Sequence, residues 1–282
     1  MNIIQLLSYG YKVLKENEID SYMIDTQLLL QKVLEVDKLF ILTNRAYEVT
    51  TENEKEFIAL VELRKSKMPV KYILGHCEFM GLDFLVRDGV LIPRPDTETL
   101  VEHVIDIAKK SNVKRICDVC CGSGAIGISL SHFLGNIDIF CCDLSEVAIN
   151  VTKENVVRLI PTGRIKVIKS DLLQFAIEDR SNFDIIVSNP PYIKEKDIET
   201  LIEDVRKYEP HMALSGGKDG LDFYKKIITQ SLKLLKTGGV LAFEIGCNQG
   251  TEVKRLMEEN NYGNVEIFKD LAGFDRVVTG HR

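Results

Sequence analysis

The tetrapeptide Asn189-Pro190-Pro191-Tyr192 gathers groups suited to holding a flat –NH2. Asn189 offers a side-chain carbonyl, Pro190 offers only its main-chain carbonyl, and Tyr192 offers an aromatic face. The two prolines forbid both a helix and a further strand, so the frame is stiff. Two acceptors and a ring in such a frame would grip a planar amino group. Asn-Pro also marks ordinary turns, so the plainer reading is a strand-to-loop turn.

A second group of residues suits a nucleoside. Asp118-Val119-Cys120-Cys121-Gly122-Ser123-Gly124-Ala125-Ile126-Gly127 contains Gly122, Gly124 and Gly127 in G-x-G-x-x-G spacing. Alone, that pattern would equally suggest a dinucleotide site. The acids argue otherwise. Asp118, at a strand end, would repel a pyrophosphate but could hold an amine. Asp143, about twenty residues further on, can bond both hydroxyls of a ribose. Each hydrogen bond to such a charged acceptor is worth about 1.5–3 kcal/mol. Asp171, or Leu172 beside it, could edge an adenine. Each acid also has a plainer reading: Asp118 or Asp143 as a helix cap, Asp171 as the opening of a loop. Three acids at three successive strand ends favour a nucleoside that carries positive charge.

Cys117 and Cys120 have C-x2-C spacing, and Cys141 and Cys142 follow. No second such pair and no histidine cluster accompanies them, so a zinc site is not expected. Cys117 and Cys141 fall inside strand patterns, where cysteine serves as a small apolar residue. The five histidines are scattered, with no Ser–His or Cys–His set that would make a nucleophile.

The elements that must position these residues follow from periodicity. Residues 1 to about 67 read as helices, with stripes at Ile3, Ile4, Leu6, Leu7, Val13 and Leu14, then at Tyr22 to Leu34, then over Glu52 to Lys67. Phe79, Leu82, Phe84 and Val86, with Gly81 at a turn, suggest a β-hairpin. In Leu91-Ile92-Pro93-Arg94-Pro95-Asp96-Thr97-Glu98, Asp96 or Thr97 can cap a helix running to Lys110. Strand patterns follow at Arg115 to Val119, Ile137 to Cys142, Ile165 to Ile168, Ile185 to Ser188, Val240 to Ile245, and near Val265 and Val277. Helices are expected at Ala125 to Leu134, Ser145 to Leu159, Leu221 to Leu235 and about Gln249 to Asn260. Such alternation means an α/β fold with a mostly parallel sheet and helices on both faces. The expected organisation is a helical domain over 1–75, a hairpin linker over 76–95 and a catalytic domain over 96–282.

Composition narrows the function. The chain has 282 residues, 45% hydrophobic and 28% charged, with net charge −6. That size buries a sizeable core. The acidic balance argues against coating nucleic acid through phosphates. Met1 to Tyr11 lacks a basic region followed by a long apolar core, so no export signal is expected. No apolar run approaches the ~20 residues of a spanning helix. Seven cysteines, an odd number, fit reduced thiols in a cytoplasm.

Taken together, the Asn189 tetrapeptide and the Asp118 loop resemble class I S-adenosylmethionine-dependent methyltransferases that act on planar amino nitrogens. The closer resemblance is to the HemK/PrmC family, which methylates the glutamine of the Gly-Gly-Gln motif in peptide-chain release factors. It is carried by Tyr72-Ile73-Leu74-Gly75, Glu78-Phe79, Ile92 to Glu98, the Asn189 tetrapeptide, Tyr208-Glu209-Pro210, Gly216-Gly217, Asp219-Gly220-Leu221 and Gly273-Phe274-Asp275-Arg276. The resemblance implies a Rossmann-like seven-stranded sheet, with the N-terminal helical domain serving substrate recognition. It places the cofactor loop at Cys120, Cys121, Gly122, Ser123 and Gly124, the ribose acid at Asp143 and the adenine edge at Leu172. Asn189 then faces cofactor and substrate, with Pro190, Pro191 and Tyr192 as its catalytic companions. The family usually has glycine where this chain has Cys120.

Three alternatives belong beside that reading. An adenine-N6 methyltransferase on DNA or RNA would use the same tetrapeptide, but the acidic charge and the absence of tryptophan leave few stacking platforms. A dinucleotide-dependent oxidoreductase rests on G-x-G-x-x-G alone. A non-catalytic adaptor would have no need of an intact Asn189 tetrapeptide. The expected partners are therefore release factors, with neither a membrane nor direct nucleic-acid binding.

Overall fold

The computed structural model describes residues 1–162 and 164–282. Two compact units make up the chain. One comprises Met1–His76 and Ile202–Tyr208, the other Cys77–Leu201 and Glu209–Arg282.

The larger unit is built on a seven-stranded sheet. A hairpin of β1 (His76–Phe79) and β2 (Leu82–Leu85) precedes it. The sheet strands are β3 (Arg115–Val119), β4 (Asp138–Asp143), β5 (Ile165–Lys169), β6 (Phe183–Ser188), β7 (Leu235–Glu244), β8 (Gly263–Lys269) and β9 (Asp275–His281). Their order is β5-β4-β3-β6-β7-β9-β8. Pairing is parallel from β5 through to β7, while β9 runs antiparallel to both β7 and β8. This is the mostly parallel α/β sheet that the alternating patterns predict.

Strict alternation divides the sheet residues between two cores. Ile116, Ile139, Cys141, Ile185, Val187 and Val240 pack with the helices Glu98–Lys110 and Ala125–Leu134. Cys117, Val119, Cys142, Ile186, Leu241 and Phe243 pack with Asp222–Ser231 and Gly250–Glu259. Cys117 and Cys141 thus lie on opposite faces as small core residues. Among the described residues no two cysteines are joined by a disulfide. Among the described residues no cluster of His, Cys, Asp and Glu could hold a metal ion, and no helix is long and apolar enough to cross a membrane.

Two details differ from the periodicity. The helix expected to reach Leu235 stops at Ser231, and Leu235 opens β7. Leu234 and Leu235 mimic the helical stripe, but Leu235 pairs with Phe183, and the register slips before Val240 pairs with Ile185. The stretch after Ile193 holds a 3-10 turn, Glu195–Thr200, and two short helices, Glu203–Tyr208 and His211–Leu214. They are too short to show a period.

In the smaller unit, helices Ile3–Glu16, Tyr22–Leu34 and Thr51–Lys65 match the three stripes, and the short Lys38–Thr43 and Val70–Leu74 add to them. Asn2 and Gln5 form a capping box at the first helix. Leu6, Leu14, Leu29, Leu30, Phe57 and Val61 fill the core. The chain returns to this unit at Ile202–Tyr208. Buried Arg64 joins the pieces. Its Nε donates to Asp25 Oδ2 at 2.6 Å, its Nη2 pairs with Asp204 at 2.7 Å and its Nη1 donates to the Met68 carbonyl at 3.2 Å. Tyr208 donates to the Ser66 carbonyl at 2.8 Å. Removing one partner of a buried ion network strands the others without water. Arg64→Met is therefore expected to destabilise this unit by about 3–5 kcal/mol, read from urea unfolding. A loss below about 1 kcal/mol would mean that the network contributes little.

Candidate active site

Strand register brings the candidate residues together. Val119 of β3 pairs with Ser188 of β6 and Cys142 of β4, and Ser188 pairs with Phe243 of β7. One step further along each strand stand Asn189, Cys120, Asp143 and Glu244. The Ser188 hydroxyl donates to the Val119 carbonyl at 2.6 Å, fixing the two central ends against each other. After β3 the chain winds outward through β4 and β5, then returns to β6 on the other side of β3. Open α/β sheets bind ligands at such a switch point, outside the carboxyl ends of the strands.

A cavity of about 280 Å³ lies there. Cys120, Cys121, Gly122, Ser123, Asp143, Leu172, Asn189 and Pro191 line it. Gly122 sits at φ +57, and a Cβ added there would meet nothing within 4 Å. The bare backbone therefore faces open space that a ligand can fill. Gly127 does the opposite: a Cβ there would collide with the Cys141 sulfur, so glycine lets the Ala125–Leu134 helix press onto β4. The loop is braced from below. Thr152 donates to the Gly122 carbonyl at 2.9 Å, and Asn155 to the Ser123 carbonyl at 3.0 Å.

Asp143 supports that loop and faces the cavity. Its Oδ2 accepts from the Gly122 N–H at 3.0 Å and its Oδ1 from the Ser145 N–H at 2.8 Å. Ser145, through its own hydroxyl, caps the next helix. Burial raises the Asp143 pKa, while the N–H groups of Ser145, Gly122 and Leu144 oppose that rise. Each oxygen keeps a lone pair for a ligand hydroxyl. Cys120 and Leu172 are non-glycine residues at φ +61 and +50, so the cavity lining carries backbone strain at two points. Burial pushes the Cys120 thiol well above its ordinary range, with the Asp143 charge adding to it. A thiol held protonated acts as surface, not as nucleophile.

Asp118 does not reach this cavity. The expectation that it holds an amine is corrected by its geometry. It is fully buried, and its Oδ2 accepts from the Gly127 N–H at 2.9 Å, inside the following helix. Burial pushes it up to about 8, against that hydrogen bond. It secures the helix start instead.

The tetrapeptide divides. Asn189 and Pro191 line the cavity, while Pro190 is buried outside the lining. Asn189 Nδ2 donates to the Thr97 hydroxyl oxygen at 3.3 Å, which leaves the side-chain carbonyl as the free end. Tyr192 also stands outside the lining. Its hydroxyl donates to Glu244 Oε1 at 3.3 Å, and its carbonyl accepts from Gln249 at 3.0 Å. Gly124 is likewise outside the lining, closing the turn before the helix. Thr97, expected as a helix cap, makes no capping bond: the turn Pro95–Thr97 is already helical, and the Thr97 hydroxyl accepts from Asn189 instead.

Periodicity missed part of the wall. Gly89, Val90 and Leu91 contribute one side, with Pro93, Arg94 and Thr97 beyond them. Pro210, Met212, Ala213 and Ser215 contribute another, and Phe223 closes it. Arg94 ties two of these sides, its Nη2 lying 2.6 Å from Glu209 Oε1. The signals were present as the proline-flanked arginine and as Tyr208-Glu209-Pro210, but neither pattern says which way its residues face.

Known proteins place this geometry. Residues 5–75 match the PrmC N-terminal domain model and residues 95–208 the methyltransferase small domain model. The fold is shared with the T. thermophilus 16S rRNA N2 G1207 methyltransferase, solved with AdoMet and guanosine. That structure is 16% identical, with a TM-score of 0.53 over 73% of this chain and 49% of that one. A release factor glutamine methyltransferase of Clostridium botulinum is 54% identical over the full length of both chains. One of Clostridium acetobutylicum is 48% identical, over all of this chain and 99% of its own. With domain models over residues 5–75 and 95–208 and such identity from end to end, the chain belongs to the release factor glutamine methyltransferase family.

Proposed function

We propose that this chain transfers a methyl group from S-adenosylmethionine to the side-chain amide nitrogen of the glutamine in the Gly-Gly-Gln motif of peptide-chain release factors. The observation that carries this is the single cavity shared by the Gly122 loop, Asp143 and Asn189. Bare backbone, a ribose-binding carboxylate and an amide acceptor meet there.

When bound, S-adenosylmethionine supplies a methyl group on a positively charged sulfur. Cys120, Cys121, Gly122, Ser123 and Gly124 form the loop that holds it. Asp143 accepts from ribose hydroxyls, and Leu172 lies along the adenine edge. A glutamine amide is a poor nucleophile because its lone pair is delocalised into the carbonyl. The chain therefore has to position and polarise it. The Asn189 side-chain oxygen accepts one amide hydrogen, and the Pro190 main-chain carbonyl, set behind the lining, is the acceptor assigned to the other; together they would turn the nitrogen lone pair towards the methyl donor. Pro191 keeps the turn stiff, and Tyr192 braces it. Alignment of this kind contributes up to about 7–11 kcal/mol in well-oriented systems. Acceptors aimed at the developing positive charge add electrostatic stabilisation.

The residues of the helical domain, 1–75, are assigned to recognition of the release factor, and 96–282 to catalysis. A termination-factor substrate and the lack of disulfides among the described cysteines suit a cytoplasmic enzyme. The net charge of −6 favours a protein substrate over DNA or RNA.

Mass spectrometry of a release factor incubated with enzyme and S-adenosylmethionine is expected to show one added methyl on the Gly-Gly-Gln glutamine. Methyl groups found instead on DNA or RNA would favour the adenine-N6 reading. Asn189→Ala is expected to abolish transfer while S-adenosylhomocysteine still binds, and near-normal turnover would exclude the proposed role. Asp143→Ala should weaken S-adenosylhomocysteine binding by more than about tenfold, the loss of one charged hydrogen bond. Unchanged affinity by calorimetry would remove Asp143 from the cofactor site.

A further inference from the structure

Glu244 is a buried acid that methyl transfer, as described, does not use. It ends β7, is 1% exposed, and stands in the same strand-end row as Asn189. Its Oε1 accepts from the Tyr192 hydroxyl at 3.3 Å, while its Oε2 is buried with no hydrogen-bond partner among the described residues. The Thr97 hydroxyl makes no hydrogen bond to the carboxyl, but it lies near enough to favour the ionised form. That hydroxyl oxygen is the one that accepts from Asn189 Nδ2. A hydroxyl has a single proton to give. When the Thr97 proton points to a carboxylate, its oxygen is left to accept, and only the amide end of Asn189 can meet it.

We propose that Glu244 is a positioning residue for methyl transfer: its carboxylate draws the hydroxyl protons of Thr97 and Tyr192, and so fixes Asn189 with its nitrogen on Thr97 and its oxygen turned to the substrate. The inference rests on the assignment of Asn189 as the acceptor for the substrate amide. A protonated Glu244 would become a donor itself. The Thr97 proton could then turn to Asn189, and the carboxamide would lose its preference for the productive orientation.

The surroundings make this state sensitive to pH. The groups facing Glu244 are Tyr192, Tyr224, Arg276 and Asp96, and the Tyr224 hydroxyl donates to the Glu244 main-chain carbonyl at 3.0 Å. Arg276 is shared with Asp96 at 3.1 Å and Asp270 at 3.0 Å. Burial pushes Glu244 up to about 7, while the Thr97 hydroxyl, Arg276 and Tyr192 pull it down and Asp96 pushes it further up. The active form is the ionised one, so turnover should rise with pH through that value.

The test compares kcat, KM and S-adenosylhomocysteine affinity for release-factor methylation between about pH 6 and pH 8. In the wild-type chain kcat should climb with one ionisation near 7. Glu244→Gln should lower kcat at pH 8 at least about fivefold and flatten the profile, with cofactor affinity within about twofold. Thr97→Val should lower kcat at least about tenfold with the same cofactor affinity, and Thr97→Ser should restore it. A Glu244→Gln enzyme that keeps both the wild-type rate and the wild-type profile would overturn the proposal. So would a Thr97→Val enzyme with unchanged kcat, a test that stands even if Glu244→Gln fails to fold. A wild-type chain that leaves the release factor unmethylated would instead defeat the assignment of Asn189 on which the proposal rests.

Discussion

The parallel pairing of β3 with β6 is the constraint on which the site depends. Val119 sits opposite Ser188, and the Ser188 hydroxyl locks onto the Val119 carbonyl. Both strands are buried on both faces, so a slip of one residue would exchange Cys117 and Val119 with Ile116 and Asp118 between two filled cores. Such a slip would also carry Asn189 out of line with the Gly122 loop. Register therefore sets the distance between the cofactor half of the site and the substrate half, and the cores on either face set the register.

Around that seam the same economy recurs. Asp143 holds the glycine loop by the Gly122 N–H and still presents lone pairs to the cavity. Thr97, at the end of a 3-10 turn, meets the Asn189 amide rather than capping the helix. Strain at Cys120 and Leu172 persists because braced loops surround it: Thr152 grips the loop beside Cys120, and Leu173 N–H donates to Gln230 beside Leu172. Buried acids bear the cost of the arrangement. Asp118 and Glu244 each keep one buried oxygen without a hydrogen-bond partner among the described residues. Both are pushed towards their neutral forms, and each touches an element that shapes the cavity.

Much of this could be read from the chain itself. Apolar runs marked the strands and the parallel sheet, most clearly in β3, β4 and β6, which are buried along nearly their whole length. The cavity gathers Asn189, Asp143, Leu172 and most of the glycine loop because all follow strand ends, and strand ends are visible. Asp118 shows the limit. It also follows a strand end, but its carboxylate turns under the sheet to Gly127, and no spacing reveals the direction of a side chain. The wall from Pro210 to Ser215 was hidden for another reason: helices of four to six residues carry no period. The return of Ile202–Tyr208 to the helical unit depends on Arg64, Asp25 and Asp204, which are ordinary surface residues by composition alone.

The account comes down to a methyl donor and an amide acceptor sharing one cavity at the β3–β6 seam. A crystal structure of the chain with S-adenosylhomocysteine tests that directly. The ribose hydroxyls should lie on Asp143, with the sulfur within about 6 Å of the Asn189 side chain, close enough for a methyl and a nitrogen to meet between them. A nucleoside bound elsewhere, or a sulfur more than about 10 Å from Asn189, would contradict the account.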